Sequence, residues 1–184
     1  GTHAGDGGPP GWQGIDFAQR RAAAYQAYYE HMPVRASAFA NALLTGQAGH
    51  LQMHAQFQFG NLASLCLLDT RQYRDPQVCT KEGKSGSGMV DPDQCATWDD
   101  PARSMLGVAQ EQWLDQRFAQ AIQSGAPRWN LVGQQTLLCP RDLRPGPQRF
   151  FWNDGWDGYP AARQRLLQSL EKHQVPNAVF LGGD

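Results

Sequence analysis

Leu51-Gln52-Met53-His54-Ala55-Gln56-Phe57-Gln58-Phe59-Gly60-Asn61-Leu62-Ala63-Ser64-Leu65-Cys66-Leu67-Leu68 is the stretch that decides the fold class. Its first half alternates, with Leu51, Met53, Ala55, Phe57 and Phe59 on one side and Gln52, His54, Gln56 and Gln58 on the other. A period of two is the pattern of a strand with one buried face. Gly60-Asn61 offers a turn, and residues 62–68 are apolar enough for a strand buried on both faces. The two strands are expected to pair as a hairpin. Asp69-Thr70-Arg71-Gln72-Tyr73-Arg74 follows at once. Polar residues leaving the carboxyl end of a central strand stand where open α/β sheets bind ligands. A salt-bridged turn between Asp69 and Arg71 satisfies the same pattern.

Outward from this stretch, helices alternate with strands. A helix is expected over residues 16–31, with Asp16 as N-cap and Met32-Pro33 as its stop. Its Phe17, Tyr25, Tyr28 and Tyr29 are expected to make core contacts. A second helix, 108–124, is ended by Gly125 and buries Leu114, Phe118 and Ile122, with Trp113 at the margin. A third, 160–173, begins on a proline and buries Leu166, Leu167 and Leu170. Apolar strands are expected at 129–132 and 178–181. The alternation predicts an α/β layered fold. Two long loops, 75–104 and 140–157, exceed ordinary connection lengths, which points to function.

Composition narrows the function classes. The chain has 184 residues, 41% hydrophobic and 18% charged, with a net charge of −1. No apolar run approaches the roughly 20 residues that span a bilayer. The basic residues are mostly Arg and form no block, which excludes a scaffold for nucleic acid. A single Arg still orients a small phosphate, because its planar fork matches the oxygens. Cys79 and Cys95 flank a polar, Gly- and Ser-rich segment. A disulfide closing it would restrain the unfolded chain and place the protein in an oxidising compartment; two free thiols are the alternative. Cys66 and Cys139 lie in apolar segments and are expected in the core. His31 and His54 are expected at the surface.

Several segments, in order, resemble one family. They are Arg20-Arg21-Ala22-Ala23-Ala24-Tyr25-Gln26-Ala27-Tyr28-Tyr29-Glu30-His31-Met32-Pro33, Leu68-Asp69-Thr70-Arg71-Gln72-Tyr73-Arg74, and Asp100-Pro101-Ala102-Arg103-Ser104-Met105-Leu106-Gly107 with Gln110-Glu111-Gln112-Trp113-Leu114. Trp156-Asp157-Gly158-Tyr159-Pro160 and Gly182-Gly183-Asp184 complete the set. Together they are similar to the PhoD-like phosphatases, within the calcineurin-like metallophosphoesterases. The resemblance implies part of a four-layer α/β/β/α sandwich, residues 1–184 being the central and C-terminal portion of one domain truncated at both ends. It implies hydrolysis of phosphomonoesters and phosphodiesters at alkaline pH with calcium and iron. Export by the twin-arginine route to the periplasm or the exterior belongs to the same expectation.

Carried onto this chain, the resemblance makes Asp184 a metal ligand or the partner of one. Arg71 becomes the catalytic phosphate contact, and Asp157 and Tyr159 line the substrate rim. Capping of the third helix is an equal role for Asp157. His3 and Asp6 are further residues expected near the site. Other metal motifs of the family do not occur in these residues, so the chain alone is expected to be inactive. Small phosphoesters are the expected partners, and a monomer is assumed. A related binuclear phosphodiesterase or nucleotidase is one alternative. A secreted, non-catalytic binding module is another.

Overall fold

The computed structural model describes residues 16–32, 52–80, 88–123, 125, 127–144 and 146–183. The chain divides into two compact units, His3–Met53 and a larger one comprising Gly1–Thr2 and His54–Asp184. In the smaller unit, helix α1 (Phe17–His31) is rich in Ala and carries polar residues on all sides. The carbonyl of Asp16 accepts the first helical hydrogen bond, from the Arg20 N–H at 3.0 Å, as an N-cap residue does. The expected aromatic core stripe is not deeply buried: Tyr25 and Tyr29 are half-buried and Tyr28 is exposed. Helix propensity, led by alanine, explains α1 better than an apolar face.

In the larger unit, β1 (Ala55–Phe59) and β2 (Ala63–Leu67) form the expected antiparallel hairpin. Strand β2 then pairs in parallel with β4 (Trp129–Gln134), and β4 in parallel with β6 (Ala178–Gly182), giving the order β1-β2-β4-β6. Helix α2 (Val108–Gln123) lies in the crossover from β2 to β4, and α3 (Pro160–Lys172) in that from β4 to β6. Both helices cover the sheet face that carries Cys66, Leu68 and Val132. These residues join Leu114, Phe118, Ala162 and Leu166 in the main core. Truncating one such buried leucine to Ala typically costs about 2–5 kcal/mol.

Burial departs from the expectation at the edges. Strand β2 is covered on one face only, with Leu67 still 37% exposed, and the edge strands β1 and β6 are shallower still. On α2, Ile122 turns out to solvent and Gln110 takes an inward place instead. On α3, Leu167 is exposed, while Ala162 and Leu166 are buried. Cys66 is in the core, where burial pushes its thiol up to about 11, but Cys139 is exposed. His54 is no surface residue. Its ring lies 4.8 Å from that of Trp113, and burial lowers its pKa against the opposing pull of Asp69.

The two long loops build a second, smaller layer. Met89–Val90 (β3) pairs antiparallel with Phe151–Trp152 (β5) over a cluster of Val90, Cys95 and Phe151, on which Trp98 stacks. The Cys79–Cys95 disulfide is formed. A loop of this size closed by a disulfide gains about 3 kcal/mol through the unfolded state.

Helices α2 and α3 are clamped by polar contacts. Asp115 accepts a hydrogen bond from the Ser169 hydroxyl at 2.7 Å, and His173 Nε2 and Lys172 Nζ lie 2.9 and 3.2 Å from its oxygens. Ser169 chiefly, with His173 and Lys172, holds the carboxyl down at about 2 against the contrary effect of burial. A depressed folded pKa means the contribution is complete above the unfolded value and is lost as pH falls through 2. The pair is partly solvated, so its worth is below about 1 kcal/mol. The gap in urea midpoint between the native protein and Asp115→Asn should therefore narrow steadily from pH 5 toward pH 2. A gap that stays constant over that range would refute the linkage.

Candidate functional site

Strands β2, β4 and β6 are mutually parallel, so their carboxyl ends converge on one edge of the sheet. Immediately beyond lies a cavity of about 710 Å³, lined by Arg71 after β2, Thr136 and Leu137 after β4, and Gly183 after β6. The second loop closes it with Trp152, Asp154 and neighbouring residues. Another cavity, of about 500 Å³, lies between α2 and α3. Its Glu111 is paired with Arg165, and its Asp115 with Lys172. The strand-end cavity is the better site, because its position is topological and its cationic wall is partly uncommitted.

The turn that presents Arg71 is built from its own neighbours. Asp69 Oδ1 accepts the backbone N–H groups of Arg71 (2.9 Å) and Gln72 (3.0 Å), and Oδ2 accepts the Gln72 side chain at 2.5 Å. The Asp69 backbone is fixed from behind by Gln110, whose amide both accepts its N–H and donates to its carbonyl, each at 2.8 Å. Gln135 fastens the next residue, accepting from the Thr70 N–H (2.9 Å) and hydroxyl (2.6 Å). The backbone N–H groups of Asp69, Thr70, Arg71 and Gln72 and the Asp69 carbonyl thus all have partners, which holds the turn in place.

Arg71 does not pair with Asp69. Its Nη1 donates to Asp154 Oδ2 at 2.7 Å, across the cavity wall. Asp154 also takes Arg74 Nη2 on Oδ1 at 2.9 Å and the Gln77 amide at 2.6 Å. Burial pushes the Asp154 carboxyl up, but the hydrogen bonds and charges of Arg71 and Arg74 outweigh it, leaving it below the usual range. The two guanidiniums differ in exposure: the Arg74 side chain is 5% exposed and the Arg71 side chain 41%. Arg74 is therefore the anchor, and Arg71 keeps donors turned to the cavity.

Tyr159, expected at the substrate, is turned inward instead. It is 1% exposed, donates its hydroxyl to the Asp75 carbonyl at 2.6 Å and carries the Arg103 guanidinium over its ring. Burial, the largest influence, raises its pKa, so it remains a neutral donor. Asp157 does border the cavity, yet it neither caps α3 nor offers a free carboxylate. Its Oδ1 accepts Arg163 at 2.5 Å and its Oδ2 the Arg141 N–H at 3.1 Å, while the residue at the helix N-cap is Tyr159. It pins the loop after β4 to the first turn of α3. Asp184, His3 and Asp6 lie outside the described residues. Gly182 and Gly183 are fitted closely: a Cβ on Gly183 would stand 2.8 Å from the Gln135 carbonyl oxygen. Glycine there lets β6 end tight against the turn after β4.

Among the described residues, no three of His, Cys, Asp and Glu converge to hold a metal. Asp69, Asp154 and Asp157 are occupied by N–H groups and guanidiniums, so they do not fit the calcium and iron of the resemblance. What the described cavity offers is cationic. Arg141 joins Arg71 in its lining and has no ion pair among the described residues. Asp154, Gln77, Arg141 and Trp152 were not singled out by sequence, and Arg74 only as one of the polar residues after β2; the Asp154-Gly155 turn signal was a local hint.

The geometry defines a mixed α/β protein with a cation-lined cleft at the carboxyl ends of its parallel strands. Comparison with known proteins fixes its family. A family model described as PhoD-like phosphatase matches residues 8–184, and the chain belongs to that family. It is 39% identical over 168 residues to alkaline phosphatase D of Bacillus subtilis (strain 168), covering 91% of this chain and 26% of that protein. The solved structure of PhoD superposes with a TM-score of 0.72 at 38% identity, covering 91% of this chain and 29% of that one. The chain thus spans about a quarter of the length of the curated relative.

Proposed function

We propose that this chain forms the anion-holding edge of a phosphoester hydrolase that acts on phosphomonoesters and phosphodiesters. The observation that carries the reading is Arg71. Its guanidinium is tethered to Asp154 on one side and accessible on the other, at the carboxyl ends of β2, β4 and β6. A phosphoryl oxygen placed there meets a planar, permanently charged donor whose direction is fixed before binding. The Asp69 turn and the Gln110 and Gln135 amides keep that donor from relaxing as charge develops. Arg74, buried behind it, keeps Asp154 ionised and in place.

Calcium and iron belong to this proposal through the family resemblance, as the source of an activated nucleophile and charge neutralisation. Asp184 is the residue of this chain proposed to bear on them. Turnover is a property of the whole protein, and the 184 residues alone are proposed to lack it. Export beyond the cytoplasm is supported by the Cys79–Cys95 disulfide. The four-layer sandwich is supported by the uncovered sheet face, where Leu67 and Leu181 are 37% and 49% exposed beside half-buried Leu65, Leu131 and Val179. That face suits a second sheet. No helix among the described residues is long and apolar enough to cross a membrane.

The test is hydrolysis of chromogenic phosphate monoesters and diesters at alkaline pH by the full-length protein with calcium and iron. Arg71→Ala should lower kcat/KM about a hundredfold, the low end for removing one charge-stabilising donor. Arg71→Lys should recover only part, because a point charge does not reproduce the fork. Absence of hydrolysis, or an Arg71→Ala variant at full rate, would reject the reading.

A further inference from the structure

The cavity has an apolar part of its lining that phosphate binding leaves unexplained. Leu137, Leu143 and Trp152 line it together with Arg71 and Arg141, and they are 49%, 40% and 45% exposed. Trp152 is the outward residue of β5. Its neighbour Phe151 points the other way, into the small core with Val90 and Cys95. Large apolar side chains left open beside two arginines form neither a purely ionic site nor a packing surface of the core.

The wall is also built to stay put. Asn153, next to Trp152, donates its N–H to the Gly88 carbonyl at 2.9 Å and its amide to the Val78 carbonyl at 2.6 Å. The disulfide at Cys79 and Cys95 holds the segment carrying Val78 against the same layer. The indole is therefore displayed by a braced ribbon, and little conformational freedom is lost when a ligand covers it.

We infer that this cavity selects phosphoesters whose organic substituent is a planar aromatic ring, with Arg71 and Arg141 on the phosphoryl group and Trp152 under the ring. This rests on the phosphoester reading for the anion and extends it to the alcohol side. Two cationic donors and one exposed aromatic ring lining the same cavity fit a ligand that is charged at one end and flat at the other. An aryl ring and a nucleobase share that chemistry.

The experiment is calorimetric titration of the full-length protein with phenylphosphonate and methylphosphonate, which do not turn over. The hydrolysis rates of phenyl phosphate, adenosine monophosphate and glycerol phosphate are measured alongside. Phenylphosphonate should bind about tenfold more tightly than methylphosphonate, the scale of one ring stacked on an aromatic side chain. Trp152→Ala should erase that ratio, and Trp152→Phe should keep most of it. Arg141→Gln should weaken both phosphonates alike and leave the ratio unchanged. A Trp152→Ala effect on adenosine monophosphate but not on phenyl phosphate assigns the wall to nucleobases; equal effects assign it to any aryl ring. If the esters are hydrolysed but the native protein shows no preference for the ring, the inference falls while the phosphatase reading stands. If no ester is hydrolysed but the ring preference appears and depends on Trp152, the inference stands and the phosphatase reading falls.

Discussion

Replacing Asp154 by Ala is expected to lower the stability of the protein by about 3 kcal/mol, the lower bound for removing one partner of a buried ion pair. The cost falls on Arg74, not on Arg71. The Arg74 side chain is 5% exposed, so without Asp154 its charge has no water to turn to. It keeps one contact, from Nη1 to the Asp154 backbone carbonyl at 2.8 Å, which holds the loss to the lower bound. Arg71 is 41% exposed and is resolvated when released, so its share is small. The functional cost has the opposite distribution. Arg71 loses the tether that aims it, and kcat/KM for phosphoesters should fall about as far as in Arg71→Ala. In the double variant the two losses should not add, because residues of one network are coupled. Asp154→Asn keeps the shape and removes the charge, and separates the two effects if the Ala variant does not fold. Urea unfolding gives the stability and ester hydrolysis the rate. Unchanged stability, or fully additive losses in rate, would show that Asp154 is not the anchor described.

That network marks the boundary of what the sequence discloses. Periodicity and caps are local, so the three helices and the four strands of the main sheet were legible to within a few residues. Asp16, Pro160 and Gly125 are end signals that need no knowledge of the rest of the chain. The β3–β5 ribbon was not legible, because two-residue strands inside Gly- and Pro-rich loops carry no period. Partners across the fold were hidden for the same reason. Arg71 finds Asp154 83 positions away, and Asp69 is fixed by Gln110 41 positions away, where a nearby Asp69–Arg71 salt bridge was the alternative offered by spacing. Gln110 sits one helical turn before Leu114 and so on the same face, but its polar side chain gave no sign of burial, and it is 1% exposed. Its amide closes the end of β2 better than an apolar side chain would, since both backbone groups there need partners. Tyr159 shows the converse. The resemblance placed it with Asp157 at a rim, but the loop folds into a wall, and a wall has an inside: Asp157 borders the cavity, while Tyr159 is buried behind it. The resemblance located the segments that build the site without separating those that face the cavity from those that hold it up.

Gly158→Ala tests that wall most severely and is expected to cost about 3 kcal/mol or more, the upper end for forcing a methyl group into a packed interior. A Cβ at this position would lie 2.2 Å from the Asn153 carbonyl oxygen and 2.7 Å from its side-chain Oδ1. Neither atom can retreat cheaply. Asn153 is held on both its N–H and its amide by Gly88 and Val78, and the Gly158 carbonyl accepts Arg103 Nη1 at 2.7 Å. Relief must come from parting the turn 156–158 from the strand that carries Trp152 and leads into Asp154. Stability and catalysis should therefore fall together, although Gly158 itself touches no ligand. Gly155→Ala, in the same turn, is the matched control. Its backbone is extended at φ −105°, and an added Cβ would meet only Thr136, at 3.5 Å, an ordinary contact. That variant should stay within about 0.5 kcal/mol of the native protein and keep its rate. If both glycine variants prove equally mild, the turn is not packed against Asn153 and the wall is softer than described. If both prove equally damaging, the loss reflects the flexibility of glycine in the unfolded chain or the loop, not the close approach of two backbones at Gly158.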